Sequence, residues 1–252
     1  MMVEGWFRLL LALMVTVMVA GCDYSGRLDE DELQIWYFLI HPTDAPDGPK
    51  IVQYNHTENK ILDELDLPEG MSSPHALAFD GEHLWLGGMG SDEKLYCLEA
   101  GSGNIVQQFD NIRTEGITVF GGSVWFSSSN HRSKEWLINI NFDGDTLQQI
   151  ETNLLVIQDI AHFQDKIYYT VNGTNEPVGV IDLDTGAREV LIADAALGSY
   201  MSALSVHEGY LYVIDSRGDV NYLRAFDAAT GSFLQEAATS IDGWITAIAP
   251  SY

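Results

Sequence analysis

The sequence predicts an all-β fold, a five-bladed β-propeller closed by pairing N- and C-terminal strands in one blade. Three observations carry this reading. A four-strand pattern repeats along the chain, its period lies in the low forties, and the first and last repeats are incomplete in complementary ways. The second strands are aromatic and align as His83-Leu84-Trp85-Leu86, Ser123-Val124-Trp125-Phe126, Lys166-Ile167-Tyr168-Tyr169 and Tyr210-Leu211-Tyr212-Val213. Their central aromatics, Trp85, Trp125, Tyr168 and Tyr212, follow one another at 40, 43 and 44 residues. A period of that length built from four short strands is one propeller blade.

Taken in order, the full repeats occupy 71–110, 115–151, 158–194 and 201–238. A leading fragment supplies three strands, Gln34–Ile40, Lys50–Asn55 and Ile61–Leu67. It lacks an innermost strand, because Gly26–Glu32 is too charged to form one. The trailing fragment, Trp244 to Pro250, is an innermost strand with nothing after it. Together the fragments complete a fifth blade and remove an exposed sheet edge. Leu33 to Tyr252 spans 220 residues, or five blades of 44. Strands such as Gly116-Ile117-Thr118-Val119-Phe120 carry apolar groups on both faces, as a sheet packed between two others requires. The turns after the third strands repeat as Glu99 to Gly103, Asp143-Gly144-Asp145, Asp184-Thr185-Gly186 and Ala229-Thr230-Gly231, where tight geometry favours Gly and Asp. The Asp143/Asp145 pair does not make a calcium loop, which needs more oxygen ligands and a downstream bidentate acid.

The first residues read as a processing segment. Arg8 precedes an apolar run, Leu9 to Ala20, that falls short of the ~20 residues needed to span a bilayer. Val19-Ala20-Gly21-Cys22 resembles a bacterial lipobox. That resemblance implies a signal peptide over 1–21, lipidation of Cys22, and a polar tether over 22–32 leading into the propeller at 33–252. It places the protein in the bacterial cell envelope, anchored in a membrane by its N-terminal lipid on the periplasmic or outer-surface side. Asp23, by resemblance to enterobacterial lipoproteins, favours the inner membrane. The net charge of −25 repels phosphate backbones and argues against nucleic acid as a partner. No polybasic patch is present to add electrostatic membrane binding, so attachment rests on the lipid. With Cys22 in the lipobox, Cys97 is the second of only two cysteines, which excludes a disulfide framework. Its setting, Leu95-Tyr96-Cys97-Leu98, suits a buried packing residue.

Propeller ligands meet the face built from loops leading into the innermost strands and loops between second and third strands. The corresponding positions are His75, Glu115, Asp159, Ser202 and Trp244, with Tyr200 and Met201 just upstream of Ser202. This mixture suits a small polar ligand or a peptide end. Ser127 to Lys134 is a local positive island in which Arg132 is placed to take a carboxylate or phosphate. His41 to Pro49 is a Pro-rich loop suited to protein contact. There is no Gly-x-Ser-x-Gly elbow, no HExxH helix and no P-loop. The seven histidines are scattered without metal-ligand spacing, so neither a metal nor a cofactor is expected.

Ala78-Phe79-Asp80-Gly81 leading to Leu84-Trp85, followed by Glu115-Gly116-Ile117, resembles the plant and bacterial glutaminyl cyclotransferases, which are five-bladed propellers. The resemblance spans roughly 71–250 and implies an active-site role for Glu115, by its match to the family's Glu-Gly-Ile segment. Elsewhere the chain departs from the pattern. Ser73-Pro74-His75-Ala76-Leu77 stands for Phe-Thr-Gln-Gly-Leu, Gly87-Gly88-Met89 replaces an acidic position, and Gln158-Asp159-Ile160 replaces a tryptophan segment. Cyclising an N-terminal glutamine requires a group that binds the free amine and an acid that assists ammonia departure. Pro74 to Ala78 also resembles streptogramin-lyase-type propellers, but those have seven blades and this chain is too short. Two functions from different classes follow. The expected one is a non-catalytic, lipid-anchored module binding an envelope protein or a small polar ligand. The alternative is a diverged cyclotransferase-like enzyme acting on N-terminal glutamine peptides.

Overall fold

The computed structural model divides the chain into two units, 1–32 and 33–252. Its described residues, all in the second unit, are 35–43, 48–71, 73–89, 93–129, 135–154, 157–171, 178–193 and 201–251. Cys22 and the segment around it lie outside them.

Twenty strands form five four-stranded antiparallel sheets arranged as a ring, a five-bladed β-propeller. The chain begins with β1 (Ile35–His41), β2 (Lys50–Asn55) and β3 (Lys60–Leu65). The first full blade is β4 (Pro74–Phe79), β5 (His83–Gly88), β6 (Lys94–Glu99) and β7 (Ile105–Asp110). The second is β8 (Gly116–Phe120), β9 (Ser123–Ser129), β10 (Glu135–Asn141) and β11 (Thr146–Glu151). The third is β12 (Ile157–Phe163), β13 (Lys166–Val171), β14 (Val178–Asp182) and β15 (Arg188–Ile192). The fourth is β16 (Met201–His207), β17 (Tyr210–Arg217), β18 (Val220–Asp227) and β19 (Phe233–Ala238), and β20 (Trp244–Pro250) follows.

As the incomplete end repeats predict, β20 pairs with β1 and completes the sheet β20-β1-β2-β3. The register sets Trp36 against Pro250, Phe38 against Ile248 and Leu39 against Ala247, with a bulge after Leu39. The innermost strands pack side by side around the axis in the order β4, β8, β12, β16, β20 and back to β4.

The core consists of the layers between adjacent sheets. Trp85, Cys97, Ile117, Val124 and Phe126 fill the space between the first and second full blades, and Cys97 is buried there. Trp125, Ile160, Ile167 and Tyr169 fill the next layer. Tyr168, Leu204, Leu211 and Phe226 fill the one after that. Tyr37, Leu77, Leu86 and Ala247 join the closing blade to the first full blade. At the remaining junction Trp36 meets Tyr212 edge-on at 4.7 Å. The turns after the third strands also match expectation, with Gly103, Gly144, Gly186 and Gly231 all at positive φ. In two of them one aspartate, Asp182 or Asp227, accepts from both the backbone N–H and the hydroxyl of a threonine three residues on.

Because β20 supplies the inner edge of its blade, its loss would expose β1 and both neighbouring layers. Removal of residues 245–252 is expected to abolish cooperative thermal unfolding, measured by circular dichroism and calorimetry. Ile248→Ala, which deletes only buried methyl groups, is expected to keep the transition and cost about 2–4 kcal/mol.

Candidate functional site

The starts of the innermost strands form one mouth of the ring, where the repeat places His75, Glu115, Asp159, Ser202 and Trp244. Tyr200 and Arg132 lie outside the described residues. Gly116 allows the site to be this compact: a Cβ on it would come within 2.6 Å of the Asp159 Cα. β8 and β12 can therefore approach closely only because position 116 has no side chain.

Several mouth groups bind the ring to itself. Asp159 is 1% exposed. Its Oδ1 accepts from the Ile160 N–H at 2.9 Å and its Oδ2 from the Leu204 N–H at 2.8 Å. It thus links β12 to β16, and it also attracts the Ile117 N–H of β8. Burial pushes the Asp159 carboxyl well above its ordinary range, outweighing the lowering pull of those amides. Ser202 is buried too, and its hydroxyl donates to the Ile245 carbonyl, joining β16 to β20. His75 Nδ1 donates to the Glu115 carbonyl at 2.8 Å, joining β4 to the segment entering β8. Since a carbonyl only accepts, Nδ1 carries the proton and Nε2 is the acceptor of the neutral ring. Burial lowers the His75 pKa, against the raising pull of the Glu115 carbonyl and carboxylate. His41 extends the same belt, donating from Nε2 to the Pro74 carbonyl at 3.2 Å, and burial lowers its pKa as well. Trp244, in contrast, is 62% exposed at the rim.

The densest chemistry surrounds Glu115. Its Oε1 accepts from Arg113 Nη2 at 3.1 Å, Arg113 Nε at 3.3 Å and Ser129 Oγ at 2.7 Å. Its backbone is fixed by donation from Glu115 N to the Ser127 carbonyl at 3.0 Å and from Gly116 N to Ser127 Oγ at 2.8 Å. Beside it stands Glu135, the first residue of β10, fully buried and held by Thr152, whose N–H and hydroxyl both donate to the Glu135 carbonyl. Glu115 Oε2 and both Glu135 carboxyl oxygens lack a conventional donor. The Glu115 carboxylate beside it favours a proton on Glu135. Burial first, and then the Glu115 carboxylate, push the Glu135 carboxyl up to about 9, while the Ile157 backbone and Arg113 pull it down.

The sequence located His75 and Glu115 but missed Arg113, Ser129, Glu135 and His41 as their neighbours. Arg113 carried the clearest signal, as one of only 12 basic residues and two positions before Glu115. The site can present an anion partly neutralised by a guanidinium, a protonated carboxyl, and neutral imidazoles.

No family model matches the sequence, and no curated protein matches it. Matching chains among solved structures number 750, so the architecture is common and carries little functional information. One belongs to the crystal structure of a nidogen/laminin complex. It is 15% identical with a TM-score of 0.56, and the match covers 86% of this chain and 98% of that one. Another is the computationally designed Ika8 protein, at 13% identity and TM-score 0.43, covering 83% of this chain and 64% of that one. The first is a likeness of fold alone, and the second carries no argument.

The raised Glu135 pKa has a definite sign in stability. Below about pH 4.5 the group is protonated in both folded and unfolded chains. Above it the unfolded chain releases a proton that the fold retains, so this contribution falls as pH rises towards 9. Glu135→Gln is expected to leave stability unchanged near pH 4 and to raise it by about 1–3 kcal/mol at pH 8. Urea denaturation across that pH range measures both values.

Proposed function

We propose that this chain is a lipid-anchored, non-catalytic β-propeller of the bacterial cell envelope. Its mouth around Glu115 binds a small polar ligand or an envelope protein. The observation that carries this reading is how the mouth's polar atoms are used. His75 Nδ1, both Asp159 oxygens and the Ser202 hydroxyl all make hydrogen bonds within the ring. Such groups fix a recognition surface in place and are poorly disposed to move protons during turnover. The exposed Trp244 and the Glu115–Arg113 pair supply apolar and charged contacts. Cys22 carries the lipid, and Asp23 favours retention at the inner membrane.

Cys22→Ala is expected to move the protein from the membrane to the soluble fraction, and continued sedimentation with membranes would reject the anchor. A partner recovered from detergent-solubilised native membranes, once purified, is expected to bind wild-type protein at least about tenfold more tightly than Glu115→Ala. Equal affinity would reject the mouth as the binding face.

One observation favours the enzymatic alternative. The resemblance to glutaminyl cyclotransferases implies a role for Glu115, and the structure sets a second carboxyl beside it that retains a proton. An anion to bind a free amine and a proton source are the two requirements of that reaction. For the binding module, ammonia release from a glutamine-initiated peptide is expected to stay at background even at high protein concentration. Release abolished by Glu115→Gln would instead establish the enzyme.

A further inference from the structure

Opposite the mouth, at the far ends of β4 and β8, a groove of about 620 Å³ opens between the first and second full blades. This volume falls in the usual range of small-molecule sites. Its floor is aromatic: Trp85 stacks on Phe142 with centroids 5.2 Å apart. Its walls include Phe120 and Val106, and its charged lining groups are Asp80, Glu82 and His83, without a lysine or arginine.

Two features distinguish the groove from an ordinary crevice between blades. At the end of β12, Phe163 pairs with Lys166, the first residue of β13, and packs against the core between the third and fourth full blades. Phe120 occupies the same repeat position but is 53% exposed, and Val106 and Phe142 beside it are 57% and 39% exposed. The β8–β9 hairpin turns through Gly121 and Gly122, both at positive φ, and a Cβ on either would meet no atom within 4 Å. The corresponding hairpins each carry at least one side chain: Gly81-Glu82, Gln164-Asp165 and Glu208-Gly209. The double glycine leaves the groove unroofed.

The electrostatics give the sign of an occupant. Glu82 is exposed, and its carboxylate is in no ion pair among the described residues. Burial, reinforced by the Asp80 and Glu82 charges, pushes the Cys97 thiol at the groove floor up to about 11. His162, whose ring stacks on Phe120 at 3.8 Å, is driven down to about 4 by burial and is neutral at physiological pH. No lysine or arginine lines the groove to compete with a bound cation. A second copy of the chain is a poor fit, because each carries a net charge of −25.

We infer that this groove is a binding site for a small organic cation with an apolar or aromatic body, its ring lying against Phe120 and Phe142 and its ammonium group directed at Glu82. Aromatic faces and a carboxylate in a partly desolvated groove are the chemistry that recognises such ions. The site lies apart from the mouth, at the opposite ends of β4 and β8.

The test is isothermal titration calorimetry of the full chain with phenethylammonium and with phenethyl alcohol, its neutral counterpart. The cation is expected to bind at least about tenfold more tightly than the alcohol, with affinity falling as salt rises. Glu82→Gln is expected to weaken it about three- to tenfold, and Val106→Lys, which adds a cation at an exposed wall position, to abolish it. Val190→Lys, an equivalent change on an exposed outer strand of the third full blade, should leave binding intact. Absence of binding, equal affinity for cation and alcohol, or retained binding in a folded Val106→Lys variant would overturn the inference.

Discussion

Pairing between β1 and β20 is the constraint on which the other features depend. Without it the ring has two open sheet edges, and each inter-blade layer nearby loses one wall. With it, five sheets become mutually supporting, because each blade is the packing surface of the next. The innermost strands are then close enough for polar side chains at their starts to reach across from blade to blade. The belt through Asp159, Ser202, His75 and His41 follows from this closure. These hydrogen bonds satisfy buried backbone groups that the sheets leave unpaired at the mouth, where an unmet donor or acceptor would be costly.

A chain this acidic must also manage the carboxyl groups its fold buries, and it does so by different means. Asp159 is met by backbone amides alone. Asp215, fully buried at the end of β17, is met by Arg217 at 2.7 Å and Arg224 at 3.2 Å. Glu115 takes one guanidinium and one hydroxyl, and its buried neighbour Glu135 is pushed up to about 9. Arg113, Arg217 and Arg224 thus serve buried carboxylates, while lysines such as Lys50 and Lys94 pair with acids at the surface. Breaking a buried pair costs far more than breaking an exposed one, so these three arginines stand where a positive charge has most effect.

The architecture was legible in the sequence because it repeats. An aromatic second strand every forty-odd residues sets both blade count and register, and Lys50–Asn55 and Trp244–Pro250 fall where the pattern puts them. The candidate site was only partly legible. Repeat arithmetic locates positions equivalent by backbone, which is how His75 and Glu115 emerge. It gives no account of which third-strand residue faces a given innermost strand across the blade. Glu135 opens β10 as Lys94 opens β6 and Val178 opens β14, and nothing in its neighbourhood marks it as buried. The difference between a rim residue and an internal tie is equally silent in one dimension. Repeat arithmetic sets Asp159 and Trp244 in the same slot, yet the register makes Ala247 the counterpart of Asp159 and puts Trp244 three residues before it. Asp159 is therefore sealed in the ring and Trp244 faces solvent.

The junction of β1 with β20 also governs the order in which the molecule can assemble. Four blades are built from contiguous sequence, so each can collapse locally as soon as its own forty-odd residues are available. The fifth cannot: Trp36 must find Pro250, a separation that ranks among the longest in the domain and carries the corresponding loop-closure cost. Until β20 arrives, β1 is an unpaired edge of buried-type residues, Trp-Tyr-Phe-Leu-Ile, which is the kind of segment that recruits strands from other chains. The interval between synthesis of β1 and synthesis of β20 is therefore the period of greatest exposure to misassembly.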